Sequence, residues 1–521
     1  MTANSATIRT LWPIWALVIL TSPGAAAATF DQQVEALVAP WAQALTNLIF
    51  YAIPLFGHSV PLIVLWLAIA ALFFTLYLGF INLRGFVAAV RLVKGDYRDS
   101  KAQSSGEISH FQALATAVSG TVGIGNIGGV AVAIGIGGPG AAFWLFMAGF
   151  LSMSTKLVEC TLGVKYRQVH ADGSVSGGPM YYLEHALVNR GWVKAGKALG
   201  GFYALALVIG CLGIGNMFQS NQAFMQFQVI SGGDASWFAD KGWLFGLILA
   251  AGVALVIIGG IKSIARITAK IVPFMAVLYI VSATAILALG YEQLPGAIAL
   301  IISEAFTMDS ATGGLIGAMI VGFQRALFSN EAGIGSASIA HSAVQTDKPA
   351  SEGLVALLEP FIDTMVICTL SALVIVTTAY PAGLMESGLE GIELTSAAFA
   401  HHISWAPYPL ALAAMLFAFS TTLSWSYYGL KGWTYLFGQG PAMQMVFKGI
   451  FCSFIALGCM VQLKAVLDFS DAMVFLIAIP NILGLYLLAP EVKREVEGYL
   501  AELKGRRAAA QEPQGVAIGD R

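Results

Sequence analysis

The sequence predicts an all-α polytopic membrane protein with about eleven transmembrane helices. Three observations predict it. Of 521 residues, 57% are hydrophobic and only 11% charged, where a soluble domain carries about 25% charged residues; the mean hydropathy is +0.77. Apolar runs near the length of about 20 residues needed for one crossing recur along the whole chain. Lys and Arg gather in alternate connections between those runs. Charge this sparse cannot cover a soluble globule, so a soluble enzyme is excluded. The net charge of −2 speaks against a nucleic-acid partner and leaves the lipid bilayer as the surroundings. The 57 glycines suit close helix packing in a membrane.

The elements follow in order. Residues 1–28 read as a signal peptide: one charge (Arg9), a short apolar run (Leu11–Leu20) and an Ala-rich cleavage site (Ala25–Ala28). An uncleaved anchor is the rival reading. Residues 29–60 form an exported segment whose stretch Val34–Phe50 is amphipathic and suits the membrane surface. Residues 61–110 hold an extra span, Pro61–Asn82, and a basic loop. Ten spans follow. Residues 111–290 hold Phe111–Gly135, Ala141–Val164, Gly201–Gln228, Trp243–Ile261 and Ile267–Leu289. Residues 311–488 hold Ala311–Ser336, Gly353–Thr378, Tyr408–Leu430, Met443–Val461 and Ala465–Leu488. The tail, 489–521, reads as a short charged helix ending in disorder.

Alternate connections hold 21 Lys and Arg against two, Lys241 and Lys464, in the others. The positive-inside rule then places the N-terminus outside and the C-terminus inside a cytoplasmic (inner) membrane. An exported N-terminus agrees.

Ten spans split into five and five, and an odd number forces the second five to run opposite to the first. Each half opens with a glycine-interrupted helix, Ser119-Gly-Thr-Val-Gly-Ile-Gly-Asn126 and Ser329-Asn-Glu-Ala-Gly-Ile-Gly-Ser336. Such paired breaks in opposed repeats point to a transporter site. Glycine lets the chain leave helical geometry. A broken helix exposes N–H groups, which attract a carboxylate, and C=O groups, which attract Na⁺ or an ammonium. One break therefore suits a zwitterionic amino acid with a cation beside it. Close helix packing is the plainer use of the same glycines.

Four motifs then carry a resemblance. Thr121-Val-Gly-Ile-Gly-Asn-Ile-Gly-Gly129, Ser176-Gly-Gly-Pro-Met-Tyr-Tyr182, Phe328-Ser-Asn-Glu-Ala-Gly-Ile-Gly335 and Ser420-Thr-Thr-Leu-Ser-Trp-Ser-Tyr-Tyr-Gly429 resemble the alanine/glycine:cation (sodium) symporter family, from about Leu62 to Leu488. The resemblance implies a LeuT-type 5+5 inverted repeat preceded by one extra helix. It also implies Na⁺ as coupling ion and alanine or glycine as substrate. Proton coupling is the close alternative, and an ion channel a more distant one. No organic cofactor is expected.

By that resemblance the backbone N–H groups of Gly123 and Gly125 hold the substrate carboxylate beside Thr121. Asn126 offers a side-chain oxygen to one Na⁺. A second Na⁺ would take the carbonyls of Ser119, Val122 and Ala418 with the hydroxyls of Thr421 and Thr422. Hard oxygen ligands suffice for Na⁺. Gln219 shares a helical face with Asn216 and Ser220, as substrate contact or as polar glue between helices. Phe323, Phe328 and Trp425 are aromatics that would wall a small pocket; Gln324 lies between the two phenylalanines.

The remaining charges are few. Arg325, Glu331, Glu359 and Asp363 would cost about 2.5–3.5 kcal/mol each if unpaired at bilayer depth. They read as one paired cluster in the cytoplasmic half, an inner gate or structural clamp, with a proton-coupling carboxylate as the sharper alternative. Lys156 and Glu159 read as a local ion pair. The five cysteines read as small apolar groups. The seven histidines fall outside the apolar spans or at their edges, which leaves a metal site or buried histidine relay little to work with.

Overall fold

A computed structural model of the chain describes residues 40, 43–55, 58–97, 105–307 and 314–511. The signal-like segment lies outside them, as does the start of the amphipathic stretch; residues 43–49 are helical. A small antiparallel hairpin follows, β1 (Ala52–Leu55) with β2 (His58–Pro61), Ala52 opposite Pro61. It leads into α1 (Leu62–Tyr77) and α2 (Phe86–Lys94).

The first half begins with α3 (His110–Thr121), a break, and α4 (Gly128–Gly137), bent by 60°. Ser109 starts α3: its Oγ accepts from Gln112 N–H and its own N–H donates to the Gln112 side chain. Next come α5 (Gly140–Lys165) and a two-residue hairpin, β3 (Gln168–Val169) with β4 (Val175–Ser176). Then follow α6 (Pro179–Val188), α7 (Val193–Leu212), α8 (Phe218–Ile230), α9 (Gly242–Ile257) and α10 (Gly260–Leu289). A π-turn, Gly213–Met217, joins α7 to α8. A connecting helix, α11 (Leu294–Phe306), ends this half.

The second half repeats the order. Helix α12 (Gly314–Asn330) breaks and resumes as α13 (Ser336–His341). A long span opens with α14 (Pro349–Ala356) and passes through π-turns at Phe361–Cys368 and Ile375–Ala379. A short helix, α15 (Gly391–His402), stands where α6 stood. Then come α16 (Pro407–Phe437), α17 (Pro441–Gly458) and α18 (Leu463–Gln511). Proline opens α6, α14, α16 and α17, where its missing N–H costs nothing.

Among the described residues seven helices are long and apolar enough to cross a membrane, or eight if α3 and α4 count as one bent span. Each of the eleven apolar spans falls on a helix. The shorter figure arises because α1, α9 and α12 have 16, 16 and 17 residues. The tail departs from expectation. Helix α18 runs 49 residues through Pro480 and Pro490, so the span and the start of the tail are one element. Lys165 holds it through Glu491 (2.8 Å) and Glu495 (2.5 Å), and Lys348 through Glu502 (2.8 Å). These residues, with Arg167, define a basic end of the bundle.

Candidate functional site

At the first break the backbone N–H and C=O groups are met by uncharged partners, with one carboxylate, Asp363, behind Asn126. Val122 and Gly123 are extended, and Ile124–Asn126 makes one tight turn. Gly123 N–H donates to Asn126 Oδ1 (2.8 Å), so the turn caps itself. Ile124 N–H donates to Gln219 Oε1 (3.0 Å). Helix α16 lines up hydroxyls along the broken helix. Thr421 Oγ1 donates to the Val122 carbonyl (3.4 Å), Ser424 Oγ to that of Thr116 (2.7 Å), and Ser119 Oγ to that of Ser420 (2.7 Å). Beyond the break, Ser371 takes the Asn126 carbonyl (2.6 Å) and Thr395 that of Ile127 (3.2 Å). Asn126 Nδ2 donates to both Oδ1 (2.6 Å) and the carbonyl (3.1 Å) of Asp363. The other carboxylate oxygen of Asp363 accepts from Ser329 and Thr364.

The structure thus brings Ser119, Val122, Gly123, Asn126, Gln219 and Thr421 together. Thr422 is adjacent but donates to Ala418 O on its own helix (2.8 Å), and Thr121 also bonds back, to Ala117 and Val118. Of the polar residues in α8 and its π-turn, only Gln219 reaches the break. Asn216 binds the Phe451 carbonyl and Asn221 those of Gly458 and Val461, so these two are glue between helices.

The second break is sealed by carboxylates. Glu331 takes a left-handed backbone (φ +56°), uncommon for a non-glycine residue. Its side chain accepts from Trp425 Nε1 (2.8 Å) and from Ser336 Oγ. Gly333 (φ +93°) and Gly335 (φ +85°) supply turns that disfavour a side chain. Gly333 N–H donates to Glu159 Oε1 (2.8 Å), its carbonyl accepts from Asn481 (2.9 Å), and Tyr203 donates to the Ile334 carbonyl (2.9 Å).

Aromatics lie between the breaks. Phe328 meets Phe218 edge-on, with ring centroids 5.2 Å apart. A Cβ on Gly125 would lie 3.6 Å from the Phe328 ring. Trp425 is fully buried. Its place depends on Gly215, where any Cβ would fall 1.8 Å from the Trp425 ring. Phe323 instead packs on Trp144 of α5 (6.4 Å).

The single charge cluster read from the sequence divides into separate sites. Arg325 pairs with Asp471, twenty residues before Glu491 on α18 and so about 30 Å from it by helix rise. Gln324 donates to the same Asp471 carboxylate (3.2 Å). Asp363 serves the first break, Glu331 the second, and Glu359 pairs with Lys156 (3.4 Å). Glu159 is therefore not the local partner of Lys156 but an acceptor for the second break. His341 is fully buried, against the reading of the histidines as peripheral.

The comparisons with known proteins give the family. The family model described as "Sodium:alanine symporter family" matches residues 43–513. The chain belongs to that family. Sodium-coupled amino-acid symport is its activity, and it is a transporter rather than an enzyme. The symporter is 39% identical over 440 residues to the sodium/alanine symporter AgcS of Methanococcus maripaludis, covering 84% of this chain and 94% of that one. It is 34% identical over 445 residues to the probable sodium/glutamine symporter GlnT of Bacillus subtilis, covering 85% and 88%. The crystal structure of MhsT in complex with L-phenylalanine matches with a TM-score of 0.54 at 16% identity, over 75% of this chain and 98% of that one. The LeuT-type fold follows.

Proposed function

We propose that the symporter imports alanine or glycine with Na⁺ by alternating access, N-terminus outside and C-terminus inside the inner membrane. The observation that carries this reading is the first break. The N–H groups of Gly123 and Ile124 are held by neutral side-chain oxygens of Asn126 and Gln219, which an incoming carboxylate can replace. Gly123, Gly125, Thr121 and Gln219 form the substrate end of the site, with Phe328 and Trp425 as its walls. Phe323 supports from the α5 side. With these bulky rings as walls, the site would favour a small side chain.

One Na⁺ takes the carbonyls of Ser119, Val122 and Ala418 with the hydroxyls of Thr421 and Thr422. Another takes Asn126, for which the nearby Asp363 supplies the compensating charge; the sequence alone did not connect Asp363 to this site. No organic cofactor takes part in this reading. The test is uptake of radiolabelled alanine, glycine and glutamine into proteoliposomes, with Na⁺ and H⁺ gradients imposed separately. Na⁺-driven uptake of alanine or glycine, with leucine failing to compete, supports the proposal. Preference for glutamine, or uptake driven by H⁺ alone, overturns it.

A further inference from the structure

At the basic end a row of buried ionisable groups joins four elements. His110, the first residue of α3, faces Glu352 on α14 through Nδ1. The other Glu352 oxygen faces His341 Nδ1 (2.6 Å), at the end of α13. His341 Nε2 faces Glu359 Oε1 (2.5 Å), and Glu359 Oε2 faces Lys156 of α5 (3.4 Å). His341, Glu352, Glu359 and Lys156 are fully buried, and the His110 side chain is 18% exposed. The row runs from the protein surface to the packed interior.

The proton count is constrained by the contacts. A neutral imidazole has one N–H and one bare nitrogen. Here both nitrogens face carboxylate oxygens, so a neutral ring would set a lone pair against an ionised oxygen. The row closes only if it holds one more proton, on the ring or on a facing carboxyl. Charge agrees. With His341 doubly protonated and His110 neutral, Lys156 and His341 balance Glu352 and Glu359; with His341 neutral, the same balance needs the extra proton on His110, the next ring of the row, and with neither ring charged the row keeps a net negative charge, which is costly. The other groups around it are Glu159 and Cys160 on α5, Glu331 at the second break, Asp363 one turn beyond Glu359, Tyr428 on α16, and Arg167 and Asp347 in the connections. A metal ion is disfavoured at Cys160, His341 and Glu359 because Lys156 already occupies the approach to Glu359.

The row also ties the start of α3 to α13, α14 and α5. The segment leading into α3 is strapped to the segment leaving α13. Ile108 bridges Val344, and Arg167 donates to the carbonyls of Ser105, Ser342, Val344 and Thr346. An opening of the basic end by outward movement of α3 would separate His110 from Glu352 and admit water.

We propose that Glu352, His341 and Glu359 form a proton-binding site that holds the basic end closed, with His110 as its port to solution. The proton returns to the side it came from; it regulates and is not cargo. The closed row holds it more tightly than the opened row, so by linkage closure is favoured as pH falls and lost as pH rises.

The test introduces Ala113→Cys, buried in the first turn of α3, with Cys452→Ser to remove the partly exposed native thiol. Maleimide labelling of the purified protein is followed in Na⁺-free buffer at about pH 6 and about pH 8.5, values spanning the imidazole range. Rates are normalised to free cysteine. The expected rate is severalfold higher at the alkaline value, and His341→Gln abolishes the difference. Equal normalised rates at the two values overturn the proposal even if His341→Gln fails to fold, and so does an unchanged difference in folded His341→Gln. The labelling needs no substrate, so it stands apart from whether alanine is the cargo.

Discussion

The two breaks occupy matching places in opposed repeats, yet they are sealed differently. At the first, backbone N–H groups meet neutral oxygens of Asn126 and Gln219, and hydroxyls of Thr421 and Ser371 cover the carbonyls. At the second, Glu159 takes a backbone N–H and Glu331 ties the turn to Trp425 and Ser336. Backbone at bilayer depth must be satisfied in either case. Neutral partners can be exchanged for a ligand's own groups at little cost, whereas a buried carboxylate strongly resists losing its donors. The first break is built to exchange partners and the second to keep its shape.

The largest effect is expected where that fixed shape is attacked. Glu159→Leu strands Gly333 N–H and weakens the hold of Asn481, and a buried orphan donor costs about 1–3 kcal/mol. Thermal unfolding in detergent should shift markedly downward, and Glu159→Gln, which keeps an acceptor, should recover most of the loss. An unshifted transition in Glu159→Leu would mean that the second break does not depend on this carboxylate. Next in size is Trp425→Phe, which keeps an aromatic ring but removes the donor to Glu331. A buried hydrogen bond contributes about 0.5–1.5 kcal/mol net, so alanine uptake should fall severalfold. Trp425→Ala should in addition let leucine compete. Normal uptake by Trp425→Phe would separate the pocket wall from the second break.

The breaks themselves were legible because glycine spacing is local, and so were Phe328 and Trp425, which sit in motifs beside them. The partners of the breaks were not. Glu159 lies three residues from Lys156, and helical spacing pairs them, but packing of α5 against the second break turns Glu159 to Gly333. Glu359 and Asp363 share a face in an ideal helix. The π-turn beginning at Phe361 widens the register, and the two carboxylates serve different sites. His341 stands at the edge of an apolar run and is buried because α13 packs against α5 and α3. Each miss is a contact between residues far apart in sequence, which periodicity within one helix cannot report.

A smaller effect is expected from the hydroxyls of α16. Thr421→Val removes a group that spans to the Val122 carbonyl, whereas Thr422→Val removes one already bonded within its own helix. If both ligate Na⁺, the double variant raises the Na⁺ concentration for half-maximal uptake severalfold with little change in stability. If only Thr421→Val shifts that concentration, the Thr422 hydroxyl belongs to its helix and leaves the ion site.

The smallest structural disturbance gives the sharpest comparison, between two glycines of the first break. A Cβ on Gly123 would lie 2.8 Å from Gln219 Oε1 and 2.9 Å from Thr421 Oγ1, closer than real contacts allow. Gly123→Ala must therefore displace Gln219 and Thr421 from the first break and should lower stability and uptake together. A Cβ on Gly125 meets only the Phe328 ring, at an ordinary 3.6 Å, and the backbone there has no positive φ. Packing alone predicts that Gly125→Ala is nearly silent. The site reading predicts otherwise, because the added methyl stands where the substrate must pass between Gly125 and Phe328. Thermal stability and alanine affinity should thus part company in Gly125→Ala, the first unchanged and the second reduced about tenfold or more, the effect of about 1.4 kcal/mol. If affinity survives with stability intact, the carboxylate does not bind at Gly125, and the exchangeable partners of the first break are confined to Gly123 and Ile124.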